Sequence, residues 1–393
     1  MTARPAAYIV AARRTPIGKF MGGLARVPAP TLGSYVARAL FAEVPGAAAH
    51  VDECIMGCVL QAGVGQNPAR QMAIQSGLPE TISAVTVNKV CGSGLEAVMQ
   101  AARSIRAGDN HVVLAGGIEN MDLAPHMIHV RNGLKYGPGT MQDHMAADGL
   151  TCAFEKWAMG CASDFITAKH GVSREEQDRF AAQSHQRAAA ATAAGHFKGE
   201  IVALSAEQCM AKAGVDADEG IRADTTVEGL AKLKPAFGKD GTATAGNASQ
   251  ISDGAAGVLV MSEEGLKKTG ATPIAKIIDS NTAGTAPKEL FFAPKLGIEA
   301  ILAKNGLTVA DIDLFEINEA FAGQVLVDIK PLGIPESKLN ICGGGVALGH
   351  PIGASGARVL VTLVHQLKRT GGKRGICSLC LGGGNAVTML VEA

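Results

Sequence analysis

Apolar and polar positions along this chain follow a pattern that occurs twice. Ala6 to Ala12 is short, apolar and uncharged apart from its ends, which predicts a buried strand. From Thr31 to Glu43 the positions Leu32, Tyr35, Val36, Ala39 and Leu40 recur at helical spacing. Val85 to Val90 predicts a second strand. Leu95 to Ala107 predicts a helix that is apolar on most faces and therefore buried, and Val112 to Ala115 a strand stopped by Gly116-Gly117. Near the C-terminus the order returns. Leu339 to Cys342 reads as a strand running into Gly343-Gly344-Gly345, Ala357 to Leu367 as an apolar helix, and Ile376 to Cys380 as a strand ended by Gly382-Gly383-Gly384. An internal duplication is the economical explanation, although the same grammar is common in α/β proteins.

The stretch from Met121 to Asn247 breaks the pattern. It is more polar and carries most of the charge pairs. Ser173 and Glu176 have capping-box spacing ahead of an Ala-rich helix from Arg174 to Ala194, stopped by Gly195. Ser252 to Val260 is again apolar. These boundaries predict an N-terminal half from 1–120 with 248–270, an inserted loop domain at 121–247, and a C-terminal half at 271–393.

Composition narrows the class. Of 393 residues, 47% are hydrophobic, 18% charged and only 4% aromatic, so the core must be Ala, Val, Leu, Ile and Met, as in a compact α/β enzyme. Formal net charge is zero, which gives no reason to expect nucleic acid or a membrane surface as partner. No apolar run reaches bilayer length. Nine cysteines form no disulfide framework, and Met1 to Pro5 lead directly into the first strand. Free thiols in a reducing cytoplasm are the simpler expectation.

Candidate chemistry centres on two cysteines at glycine-rich turns, Cys91 in Val90-Cys91-Gly92-Ser93-Gly94 and Cys380 in Cys380-Leu381-Gly382-Gly383-Gly384. A thiol where a strand becomes a helix feels the positive end of the helix dipole, which lowers its pKa. The small residues after Cys91 predict room for a substrate at the sulfur, whereas a buried structural thiol needs none. His350, between Gly349 and Pro351, sits on a rigid turn where its ring can hydrogen-bond a thiol or an oxyanion. Asn318, in Asn318-Glu319-Ala320-Phe321-Ala322, either caps the following helix or orients a water or carbonyl. A rival of another class is metal or redox chemistry at Cys377-x-x-Cys380 and Cys54-x-x-x-Cys58, but the first pair lies in an apolar strand and no second matching pair exists. Gly343-Gly344-Gly345 fails the dinucleotide spacing.

Four stretches in order resemble the motifs of the thiolase family: Asn88 to Gly94, Asn318 to Ala322, Gly343 to Gly356 with Gly-His-Pro-Ile-Gly-Ala-Ser-Gly, and Cys380 to Gly384. From Ile9 to the last strand the chain is similar to the members that act on acetyl-CoA. The resemblance implies a five-layered α-β-α-β-α fold of two βαβαβαββ halves with an inserted loop domain. It implies an acyltransferase that interconverts two acetyl-CoA with acetoacetyl-CoA and CoA. Cys91 would carry the acyl group as a thioester, His350 would take its proton and help bind a thioester oxygen, and Cys380 would exchange the α-proton. Asn318 would hold a water in one oxyanion hole, and the N–H groups of Cys91 and Gly382 would form the other.

Coenzyme A would be substrate, with no tightly bound cofactor and no metal. Its contacts would include Ala245, Gly246 and Ser249 for the pantetheine, Arg222 near the nucleotide, and Leu150, Met159, Phe237 and Phe321 along the channel. Family members are dimers or tetramers, so a homo-oligomer is expected. The chain departs from the pattern at Ala158, where bacterial biosynthetic members have histidine, at Gly229 for serine, and at Leu290 to Pro294 for Met-Gly-x-Gly-Pro. Gly220 stands where potassium-dependent members have tyrosine, which implies no potassium site. The alternatives are a 3-ketoacyl-CoA thiolase for longer chains in fatty-acid β-oxidation and a decarboxylating ketoacyl synthase. The synthase is disfavoured because its third catalytic position is usually histidine or asparagine.

Overall fold

The computed structural model describes residues 5–131 and 133–393. In chain order its strands are β1 (Ala7–Arg14), β2 (Gly18–Lys19), β3 (Glu53–Gly57), β4 (Ser83–Val87), β5 (Val112–Asn120), β6 (His126–Met127), β7 (Gln142–Asp143), β8 (Ser252–Met261), β9 (Ala275–Gly284), β10 (Leu314–Ile317), β11 (Arg374–Leu381) and β12 (Asn385–Glu392). Its α-helices are α1 (Ala29–Glu43), α2 (Pro68–Gln75), α3 (Ser93–Ala107), α4 (Met159–His170), α5 (Arg174–Ala193), α6 (Val227–Ala231), α7 (Glu263–Thr269), α8 (Ala293–Lys304), α9 (Ala322–Leu332), α10 (Gly345–Leu348) and α11 (Ser355–Thr370).

The duplication is written in the sheet. In the first half the order is β4-β3-β5-β8-β1, with β3 parallel to β4 and β5, and β8 antiparallel to β5 and β1. In the second half it is β10-β11-β12-β9, with β10 parallel to β11, and β12 antiparallel to β11 and β9. A parallel bridge between Leu339 and Phe315 supplies the counterpart of β4 on the outside of β10. Order and sense thus match strand for strand. The halves join where Ala7 to Ile9 pair with Ala275 to Ile277.

Alternation along the strands distributes their side chains between layers. Val113 and Ala115 face a central layer made by α3 and α11, while Val112 and Leu114 face α1 and α2 outside. In β11, Cys377, Leu379 and Leu381 face the same central helices, and Ile376 and Cys380 face the outer layer of α8 and α9. The result is five layers, α-β-α-β-α. Leu95, Val98, Met99 and Ile105 of α3 are fully buried between the two halves of the sheet. Each such side chain contributes roughly 1.5–3 kcal/mol relative to exposure. Helices α4 and α5, from the 121–247 stretch, pack Ala162, Ile166, Phe180 and Ala181 against the outer cluster of the second half. The capping box of α5 is formed, with Glu176 N–H donating to Ser173 Oγ at 3.2 Å and Ser173 N–H to Glu176 Oε2 at 2.8 Å.

Three expectations are corrected. Leu339 to Cys342 is not a strand: the chain makes one bridge and turns, because Asn340 at φ 42 directs its side chain to the Ile317 backbone. β5 does not stop at Gly116-Gly117 but continues to Asn120. A Cβ on Gly117 would lie 2.1 Å from the Gly353 carbonyl, so this glycine lets the second half touch the strand. Asn318 caps no helix, since α9 begins at Ala322. The zinc geometry also fails, because Cys377 and Cys380 face opposite sides of β11. Among the described residues no group of three or more His, Cys, Asp or Glu is arranged to hold a metal, and no helix is long and apolar enough to cross a membrane.

Candidate active site

Cys91 lies in the tight connection between β4 and α3. Val90, just before it, has φ 49, a left-handed conformation that costs a β-branched residue strain on the order of 1–3 kcal/mol. Ser93 Oγ holds the turn by accepting from Lys89 N–H at 2.8 Å and donating to the Val90 carbonyl at 2.6 Å. The Gly-Ser-Gly run does not make room for substrate as expected. A Cβ on Gly94 would lie 2.7 Å from Ala357 N, and one on Gly356 would lie 2.4 Å from Leu95 N. The glycines instead let the N-termini of α3 and α11 touch, which brings the two glycine-rich turns together.

The expected lowering of the Cys91 pKa is also corrected. Helix α3 starts at Ser93 with Gly92 as its cap, so Cys91 stands outside the first turn. Burial pushes the thiol up to about 12, opposed by N–H groups of Cys91 itself and of Gly382 that point at the sulfur. Cys380 is pushed well above its ordinary value, first by burial and next by Cys91, whose charge it feels. Both sulfurs therefore rest as thiols.

His350 comes from the turn before α11 and is held from three sides. Its N–H donates to the Gln250 carbonyl at 3.1 Å and to Ser252 Oγ at 3.3 Å. Its Nδ1 lies 2.6 Å from Ser355 Oγ, whose hydroxyl donates to the Pro351 carbonyl at 2.9 Å. Because that hydroxyl proton is committed, Ser355 accepts from Nδ1–H, and the lone pair is left on Nε2. Asn318 Nδ2 lies 3.4 Å from Nε2, and Asn318 Oδ1 is buried without a partner in the protein. Burial, helped by the Arg358 charge, holds the ring neutral, with its pKa down to about 3. A neutral imidazole whose Nε2 keeps its lone pair, with only a long contact to Asn318, can accept a proton.

Cys91, His350, Cys380 and Gly382 line one cavity of about 660 Å³. That is the size of a small-molecule site. Ala245, Ser249, Leu150, Met159, Phe237 and Phe321 line the same cavity, as expected of them. Phe321 meets Phe237 and Phe291 edge to face, with centroids 6.0 and 5.4 Å away. Two of the departing positions are in the wall as well, Ala158 and the Leu290-Phe291 pair.

Three expected residues are not in the lining. Asn318 sits behind His350, fully buried. Gly246 turns inward, where a Cβ would strike Leu230 and Leu233. Arg222 is exposed and rests on His185, with its N–H 3.1 Å from Nδ1 and its guanidinium 3.3 Å from Nε2. Burial keeps His185 neutral, its pKa down to about 4, and a neutral ring has one acceptor nitrogen for these two donors. The guanidinium is therefore weakly held where it stands.

Sequence reasoning missed Ser355, Glu119 and the pair Lys19-Phe20 at the cavity wall. Ser355 lies within the glycine-rich motif of His350, and its spacing was the available signal. Glu119 is a lone acid in an apolar strand, which is itself a signal. Lys19 and Phe20 had none, because only the tertiary fold brings them to the cavity.

The thiolase N-terminal domain family matches residues 7–264, and the thiolase C-terminal domain family matches residues 271–393. The acetyl-CoA acetyltransferase of Chromobacterium violaceum is 50% identical over 386 residues, 98% of each chain. That of Pseudomonas aeruginosa is 49% identical over 383 residues, 97% of this chain and 98% of its own. The crystal structure of the Bacillus anthracis acetyl-CoA acetyltransferase superimposes with a TM-score of 0.96 at 39% identity, covering 100% of both chains.

Proposed function

The chain belongs to the thiolase family, and from that premise we propose that it is an acetyl-CoA C-acetyltransferase, which makes acetoacetyl-CoA and CoA from two acetyl-CoA and runs the reverse cleavage. The observation that carries the reading is the convergence of two thiols and a neutral histidine on one apolar cavity. In the cleavage direction, Cys91 gives its proton to His350 Nε2 and its sulfur attacks the 3-keto carbon. The bond between C2 and C3 breaks, its electron pair goes to the acetyl-CoA enolate, and the Cys380 thiol protonates C2. Acetyl-CoA leaves. The Cys380 thiolate then takes the thiol proton of incoming CoA, whose sulfur attacks acetyl-Cys91. Acetyl-CoA departs, and His350 returns its proton to Cys91.

Both thiols start protonated in this sequence, in accord with the burial that raises their pKa values. The N–H groups of Cys91 and Gly382 that point at the sulfur are suited to an oxyanion formed there, and Asn318, with a free acceptor, to a water beside His350. Ping-pong kinetics follow from the covalent intermediate. Leu290 and Phe291, both buried in the wall, favour a short acyl group. Thiolysis measured across a 3-ketoacyl-CoA series tests this: acetoacetyl-CoA should give the highest kcat/KM, and a maximum at a long chain would overturn it.

The same reading includes self-association. Leu123, Ile128, Val130, Leu134 and Met141 are exposed and close together in sequence, and β4 is an open sheet edge with Val85 exposed. Apolar stretches and open edges of this kind are usually covered by another chain. A light-scattering mass of two or four chains is expected, and that of one chain would contradict it.

A further inference from the structure

We propose that Glu119 is a positioning residue, a buried carboxylate that bolts the turn carrying His350 to the segment beneath Cys91; this rests on the acyl-transfer reading above. Glu119 is next to last in β5 and has no exposure. Its Oε2 accepts from Gly353 N–H at 2.8 Å and Val59 N–H at 3.1 Å. Its Oε1 accepts from Leu60 N–H at 3.2 Å and from the Cys58 thiol at 3.7 Å. Gly353 belongs to the second half, three residues after His350, whereas Val59 and Leu60 belong to the first half. One side chain therefore ties the two halves together at the place where their reactive groups meet.

The chemistry of the donors explains why an acid stands there. Every group facing Glu119 offers hydrogen and none offers a lone pair in return. A carboxylate is acceptor only and satisfies all of them, whereas a carboxamide or a protonated acid must aim a hydrogen at a donor. The fit is close, because a Cβ on Gly353 would lie 2.7 Å from Glu119 Oε2. A buried charge is costly, and an apolar side chain would join the halves at lower cost. The carboxylate adds orientation. Its field opposes ionisation of Cys91, so a purely electrostatic role would hinder the reaction.

Burial pushes Glu119 up to about 7, so the carboxylate is lost as pH falls through that range. The other titratable groups around it are the Cys58 thiol, pushed far up, Cys91, up to about 12, His350, down to about 3, and Asp253 on the neighbouring strand, up to about 8. Asp253 is raised by burial and by the neighbouring Asp122, and Asp253→Asn serves as the control for that pair. The parent should lose kcat as pH falls through about 7, and Asp253→Asn should keep that limb. Glu119→Gln should lower kcat on the order of 10²-fold with KM for acetoacetyl-CoA little changed, and should lack the limb. A kcat equal to the parent's, or a parent-like acid limb in Glu119→Gln, overturns the proposal. If the variant does not fold, a parent kcat that is flat across this pH range overturns it. If the parent does not cleave acetoacetyl-CoA, the functional reading falls, and iodoacetamide alkylation of Cys91 decides this proposal separately. Slower labelling in Glu119→Gln supports the bolt. Equal or faster labelling, as relief of the field alone would produce, sinks it.

Discussion

Cys91→Ala is expected to abolish acyl transfer in both directions and leave the fold intact. The sulfur lines the cavity and receives the N–H groups of Cys91 and Gly382. His350, fixed through Ser355, is left with no thiol at position 91 to deprotonate. Loss of a covalent nucleophile that works with its base as a unit costs on the order of 10⁴–10⁶-fold in kcat. Stability should change by about 1 kcal/mol, since one small side chain at the cavity wall is shortened and its neighbours keep their contacts. Steady-state thiolysis, circular dichroism and the mass of protein incubated with acetyl-CoA check this together. A robust residual rate, or an acetyl adduct on the Cys91→Ala protein, would sink the nucleophile assignment.

Cys380→Ser should separate the two half-reactions. Cys380 faces the outer apolar layer of the second half, against Ile376, Leu390 and Phe321, and opens onto the cavity beside Cys91. A hydroxyl there is a far weaker acid than a thiol, and its conjugate base is inaccessible near neutral pH. Proton exchange at C2 should therefore fall on the order of 10²–10⁴-fold, the usual contribution of a general acid or base. Acetylation of Cys91 by acetyl-CoA should be slowed far less, because CoA can leave as a stable thiolate even when residue 380 does not protonate it, whereas a carbanion at C2 must receive a proton. Isotope exchange between labelled CoA and acetyl-CoA follows the first half-reaction, and acetoacetyl-CoA cleavage follows the second. Equal loss in both would contradict the separate roles.

The legible part of the site was the part written as local pattern. The turns around Cys91, His350 and Cys380 each pair a reactive side chain with glycines at the end of an apolar strand, and such runs are visible in one dimension. The helices that follow the turns, α3 and α11, were legible too, because continuous apolar character marks a helix buried between two layers. The failures share one cause. The Leu339 to Cys342 run has strand composition but makes only one bridge, because Asn340 takes a left-handed turn to serve the backbone of β10. Small residues after Cys91 suggest space for a substrate, but these glycines bring two helices that are far apart in sequence into contact. A place at a helix start suggests a lowered Cys91 pKa, but the burial that dominates it comes from the whole fold.

Taken by itself, the sequence determined the α/β class, the duplicated pattern, and which thiols and histidine to watch, because strand period, helix period and glycine turns are local properties; the five layers were implied by the motifs' resemblance to a family. The tertiary structure alone decided that Cys91 and Cys380 share a cavity, that Arg222 and Gly246 stand away from it, and that Ser355 and Glu119 belong to its support. Those facts depend on which turn of one half meets which turn of the other. That meeting is set by backbone contact between Gly94 and Ala357 and between Gly117 and Gly353, pairs separated by more than two hundred residues of chain.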